Sequence, residues 1–139
     1  MVVTYPAIFY KDKDSERFVV VFPDLDNGAT QGDNETDAYS MAQDFIGTWL
    51  YEYYIDKKEF PKSSDIKDLK IEEDEYSDIK SSFKSLVGID IDDYVKKMDK
   101  SIVKKTLTIP SYLNEMGLKT GLNFSKILQD GLKRELNID

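Results

Sequence analysis

The chain contains neither histidine nor cysteine. That removes the commonest general base, the thiolate nucleophile and the usual donors of zinc sites. Chemistry is left to carboxylates, lysines and hydroxyls. Four aspartates, Asp24, Asp26, Asp33 and Asp37, fall close together, and clustered carboxylates can hold Mg²⁺ for phosphoryl chemistry. Their settings speak against it. Asp24 and Asp26 lie in Pro23-Asp-Leu-Asp-Asn-Gly28, which reads as a turn, and Asp33 and Asp37 flank Asn34, a helix-capping residue. No enzymatic activity, metal or cofactor is expected. A second signature is Lys104-Lys105-Thr106-Leu107-Thr108-Ile109. Lysine can donate to guanine O6 and N7, and threonine can bond a base or touch a thymine methyl. Asn123-Phe124-Ser125-Lys126 opens a helix whose free N–H groups and positive dipole end suit a DNA phosphate.

The charge is divided along the chain. Residues 1–95 hold ten Lys/Arg against 22 Asp/Glu, a net of −12, whereas residues 96–139 hold nine against five, a net of +4. An acidic body with a basic tail suits two partners of opposite sign. No apolar run approaches membrane-spanning length and no leader pattern opens the chain, so a cytoplasmic protein is expected.

The elements that would position these residues follow from periodicity. Val2–Tyr10 and Phe18–Phe22 are β-favouring and are expected to form a hairpin across the turn Lys11–Glu16. The continuous Val19-Val20-Val21 run suggests a strand buried on both faces. A short third strand is expected at Ala29–Gln31. Asn34 then caps a helix, with Asp37 as a capping-box-like partner. Along it Ala38, Met41, Ala42, Phe45, Ile46, Trp49, Leu50 and Tyr53 form one apolar stripe to lie across the sheet. A loop with a helical turn near Asp65–Leu69 leads to a last strand at about Phe83–Ile91. The first domain, 1–95, therefore reads β-β-β-α-β, and residues 96–102 read as a basic linker.

The pattern restarts at 103–139. Val103, Leu107 and Ile109 alternate with Lys104, Thr106 and Thr108 up to Pro110, apart from Lys105, which breaks the inward series, and this predicts a strand. Helices follow at Ser111–Thr120, with Leu113 and Met116 inward and Gly121 as the terminating residue, and from Asn123, with Phe124, Ile127, Leu128, Leu132 and Leu136 as its stripe. Gly131, inside that helix, suits a close helix–helix approach. Strand–helix–helix in under 40 residues is too small to fold alone, and its strand lacks a partner. The same strand from a second chain supplies one. Val103, Leu107, Ile109, Ile127, Leu128 and Leu132 then become dimerisation residues of a ribbon-helix-helix unit, whose ribbon enters the major groove. The fold class is α+β.

Phe22-Pro-Asp-Leu25, Gly32-Asp33, Asp37-Ala38 opening a long helix, Phe60-Pro61 with Ser64-Asp-Ile66, and Val87–Tyr94 together resemble the HicB antitoxin family. So do Thr106–Leu113, Gly121–Ser125 and Leu128–Leu132, in the right order over nearly the whole chain. Departures fall at Asp26-Asn27-Gly28, where many members have Pro-Gly-Cys, and at Gly131, where many have Ala. The resemblance implies a partial RNase H-like first domain without nuclease activity. It implies a HicA-type partner, a small basic mRNA-cleaving toxin with a catalytic histidine. It also implies binding of operator double-stranded DNA as a homodimer or tetramer. A surface of net −12 can mimic the phosphates such a toxin expects, and Asp24, Asp26, Asp33 and Glu35 are the candidate toxin contacts. The alternative reading is a ligand-responsive ribbon-helix-helix repressor with residues 1–95 as the sensor.

Overall fold

A computed structural model describes residues 1–99 and 102–138 and divides the chain into two compact units, residues 1–100 and 101–139. The first unit comprises β1 (Val2–Asp12), β2 (Phe18–Phe22), β3 (Gly28–Gly32), α1 (Glu35–Ile55), a 3₁₀ turn (Ile66–Asp68), β4 (Ser77–Asp90) and α2 (Ile91–Met98). The sheet is antiparallel throughout, in the order β3-β2-β1-β4. The hairpin pairs Phe9 with Val20, and β4 returns along β1 with Tyr5 opposite Val87.

Pleating decides what is buried. Tyr5, Ala7, Phe9, Phe18, Val20, Phe22 and Val87 join the core with Ala38, Ala42, Ile46 and Leu50 of α1. Phe9 and Phe83 stack at 4.8 Å between ring centroids, and Phe22 and Phe45 at 5.3 Å. Only one face of β2 is closed in this way: Val19 is 41% exposed. The expected burial of β2 on both faces is therefore corrected. Helix α1 supplies one covering layer, and a meander of this kind has no second helix for the other face. Met41, expected in the α1 stripe, is also exposed.

Helix α1 starts as expected. The Asn34 side chain accepts from the Asp37 N–H at 2.8 Å, and the Asp37 carboxylate accepts from the Asp33 N–H at 2.8 Å, so the reciprocal cap closes one residue ahead of the usual capping box. Two boundaries move. Strand β4 begins at Ser77, not near Phe83, because Ser77 and Asp78 pair with Asp12 and Lys11 beyond an irregularity in β1. Ile91 does not end that strand but opens α2. Asp90 caps this helix through the N–H groups of Asp92 and Asp93, and Lys96 and Lys97 sit in its last turn. Val95 is buried in the core. Lys96, Lys97 and Met98 are thus helical rather than linker; Lys100 and Ser101 lie outside the described residues.

The second unit holds α3 (Ser111–Lys119) and α4 (Phe124–Leu136). Helix α3 ends where expected: Gly121 adopts φ +70°, its N–H reaches the Leu118 carbonyl, and the Leu122 N–H reaches the Gly117 carbonyl at 3.0 Å. Asn123 caps α4 by accepting from the Lys126 N–H at 3.0 Å. The expected strand at 103–109 is not formed: residues 102–110 are neither helix nor strand. A strand needs a ladder partner, and none of the described residues pairs with this segment. The close approach lies at Gly117, where an added Cβ would meet the Phe124 ring at 2.5 Å. At Gly131 only the end of the Arg134 side chain comes within 4 Å.

Candidate functional site

The uncovered sheet face carries a trough of about 680 Å³. Its floor is apolar: Ile8 and Tyr10 from β1, Val19 and Val21 from β2, then Pro23. Its far wall is the segment from Asp68 to Ser77, which crosses the open face as a strap. The strap is fastened along its length. Lys84 donates to the Leu69 carbonyl at 3.0 Å, the Glu72 N–H donates to the Tyr10 hydroxyl at 3.2 Å, and the Lys13 N–H reaches the Tyr76 carbonyl at 3.1 Å. Asp74 turns the strap into β4 by accepting from the N–H groups of Tyr76 and Ser77, both at 2.7 Å. Those bonds, the Tyr76 N–H first, hold its carboxyl below the ordinary aspartate range. The strap buries Leu69, and Ile8 beneath it is buried too, yet Val19 and Tyr76 stay open to solvent. Asp68, Glu72, Glu73 and Asp74 line the trough against one cation, Lys70.

The acidic residues singled out from sequence are not brought together. Asp24 is occupied structurally: its carboxylate accepts from the Ser64 N–H at 2.8 Å and hydroxyl at 2.6 Å, tying the loop after α1 to the β2–β3 turn. Asp26 is exposed beside it with φ 55°. Asp33 and Glu35 lie past the far end of β3, where Asp33 pairs with Arg17 at 3.6 Å and Glu35 lines a separate cavity with Thr36, Tyr39 and Phe83. Among the described residues no group of three or more Asp or Glu could hold a metal ion. The carboxylate-nuclease arrangement weighed from Asp24, Asp26, Asp33 and Asp37 is absent there. The strap acids were not singled out from sequence, because Glu72-Glu-Asp-Glu75 reads as a solvated loop. The signal that could have found them is the uninterrupted Val19–Val21 run in an antiparallel hairpin, which must leave apolar side chains on the second face.

In the second unit Lys104, Lys105, Thr106 and Thr108 are all exposed on the 102–110 segment. At the start of α4, Asn123 is engaged as the cap, Phe124 packs against Gly117, Ser125 is exposed, and Lys126 makes a 3.5 Å ion pair with Asp130. The apolar residues expected to dimerise are bare: Val103 is 88% exposed, Leu132 52%, and Leu107, Ile109, Ile127 and Leu128 are exposed as well. Leu113 and Met116, expected inward, are exposed too. Among the described residues from 102 onward only Gly117 is buried. No helix of the described residues is long and apolar enough to cross a membrane.

Residues 4–75 match the sequence model of a family described as HicB-like antitoxins of bacterial toxin–antitoxin systems. The chain is 37% identical over 60 residues to Antitoxin HicB 2 of Photorhabdus laumondii; the match spans 43% of this chain and 42% of that relative, less than half of either. Among solved structures, a toxin–antitoxin complex from Streptococcus pneumoniae is similar with a TM-score of 0.65 and 32% identity, over 97% of this chain and 99% of that one. The antitoxin HicB of Burkholderia pseudomallei shares the fold at a TM-score of 0.50 and 18% identity, over 97% of each chain. The chain belongs to the HicB-like antitoxin family of bacterial toxin–antitoxin systems.

Proposed function

We propose that this protein neutralises a small, basic, mRNA-cleaving toxin of the HicA type through its acidic first unit and represses its own operon through its second. The observation that carries the reading is the state of the second unit. Two helices and a segment of alternating apolar and Lys/Thr residues that is neither helix nor strand bury almost nothing by themselves. So small an apolar assembly is not stable alone in water. Pairing residues 103–109 with the same segment of a second chain satisfies the backbone and covers Leu107, Ile109, Ile127, Leu128 and Leu132 together. The outcome is a ribbon-helix-helix dimer with Lys104, Thr106 and Thr108 facing the DNA major groove, helped by Lys105. The start of α4, from Asn123 to Lys126, then lies on a phosphate. The first unit, carried as a partial RNase H-like fold, keeps the toxin from RNA by charge and by coverage. Likeness over nearly the full length to a chain of a toxin–antitoxin complex supports the same assignment.

The separating test is a double charge reversal, Lys104→Glu with Thr106→Glu. The variant should lose binding to DNA from upstream of its own gene while still suppressing growth arrest by the toxin encoded beside it. Loss of both activities from a folded, dimeric variant would count against two separable modules.

A further inference from the structure

We infer that the trough on the open sheet face is the docking site for the cationic partner of the first unit. The inference rests on the proposed function and adds where the contact is made. In an antiparallel sheet with one helical layer, the second face normally meets water through polar side chains. Here that face offers Val19 and Val21 beside Tyr10 and Tyr76. The chain covers part of it: the strap buries Leu69 and Ile8. It goes no further, since its hydrogen bonds with Lys84, Tyr10 and Lys13 hold it to one side. Val19 is left exposed on β2, a strand paired on both sides, and its β-branched side chain loses little rotamer freedom when it is covered.

Charge selects the occupant. The strap presents Asp68, Glu72, Glu73 and Asp74 against Lys70 alone. That wall repels a second copy of this unit, whose residues 1–95 carry a net charge of −12, and attracts a basic surface. The fitting partner is a folded cationic protein. One of its apolar or aromatic side chains sits on Val19 and Val21, and Lys or Arg around it face the strap, as in an interface with an apolar centre and a polar rim.

The test uses the full chain and, as probe, the purified product of the reading frame adjoining its gene, with three variants. Val19→Lys should weaken the complex about 30-fold or more, the scale of a central contact. Glu72→Lys with Glu73→Lys should slow association about tenfold at low salt, with the difference vanishing near 1 M salt. Glu52→Lys with Glu59→Lys makes the same change in net charge at exposed positions on and after α1 and should leave the affinity within about twofold. Equal weakening by both double variants, or no weakening by any, overturns the site while leaving the toxin reading intact. A change in the self-association of the free protein on Val19→Lys also overturns it, by showing that a second copy or the basic unit covers the face. Absence of any wild-type complex removes the proposed function itself.

Discussion

Replacing Gly47 by alanine should destabilise the first unit, although alanine is the better helix former. Gly47 lies inside α1, and an added Cβ would fall 2.5 to 2.6 Å from three atoms of the Tyr94 ring, which α2 lays across it. Tyr94 is held there by its hydroxyl, which meets Thr48 Oγ1 at 2.9 Å and Asp44 Oδ1 at 3.0 Å. The ring is not the free end of a flexible chain, so it must leave its seat or α2 must shift. Overpacking of this kind costs about 1–3 kcal/mol, and the helix gains about 1 kcal/mol from losing glycine. The expected net loss is about 0–2 kcal/mol. With Tyr94→Ala already in place the clash is gone, and the same change should gain about 1 kcal/mol. The coupling between the two positions is then roughly 1–3 kcal/mol, or about 1 M in urea midpoint at the slopes usual for small domains. The assay is urea unfolding followed by fluorescence of Trp49, the single tryptophan, two residues away in α1. Stabilisation by Gly47→Ala in both backgrounds would mean that the Tyr94 ring yields at no cost.

Other outcomes follow from the same geometry. Gly117→Ala, which drives a Cβ into the Phe124 ring, should loosen the α3–α4 pair, whereas Gly131→Ala meets only the Arg134 guanidinium and should raise helix stability by about 1 kcal/mol; far-UV melting of the two variants compares them. Asp12, Asp74 and Asp78 carboxyls lie below their usual 3.8, held respectively by the Ser15 hydroxyl, the Tyr76 N–H and the Ser81 hydroxyl first. A depressed carboxyl contributes stability that is present above its unfolded-state pKa and lost as pH falls through the folded one. The Trp49 urea midpoint should therefore stay level from pH 7 to 5 and fall below about pH 4, and a level midpoint down to pH 2 would contradict this. If the second unit dimerises and binds DNA as proposed, Leu107→Asp, placing a charge on its bare apolar side, should sediment as a monomer and fail to bind DNA while leaving the Trp49 unfolding transition unchanged.

Much of this architecture was legible because its signals were local. Asn34, Asn123 and Gly121 mark helix ends by side-chain and φ chemistry that needs no distant partner. The α1 stripe announces its buried side by period alone. What escaped depended on pairing. Ser77–Ser82 has no strand-like alternation and is a strand because β1 extends to Asp12 opposite it. Asp90, Asp92 and Asp93 look like the acidic end of a strand, but Asp90 caps α2, and Val95 is drawn into the core by it. Val19 and Val21 suggested two covered faces because composition reports only that a side chain is apolar, not whether anything covers it. The trough exists because those valines and the acids of the Asp68–Ser77 strap, far apart in sequence, meet on one face. The 103–109 segment is the converse case: its strand pattern is plain, yet residues 102–110 form no strand within the single chain.

Co-expression of this chain, which alone carries a tag, with the reading frame beside its gene decides whether it is an antitoxin. A small basic protein should co-purify in a stable complex, arrest growth when produced alone and be harmless when produced together with this chain. A neighbour that binds nothing and is harmless by itself would contradict the proposed neutralisation.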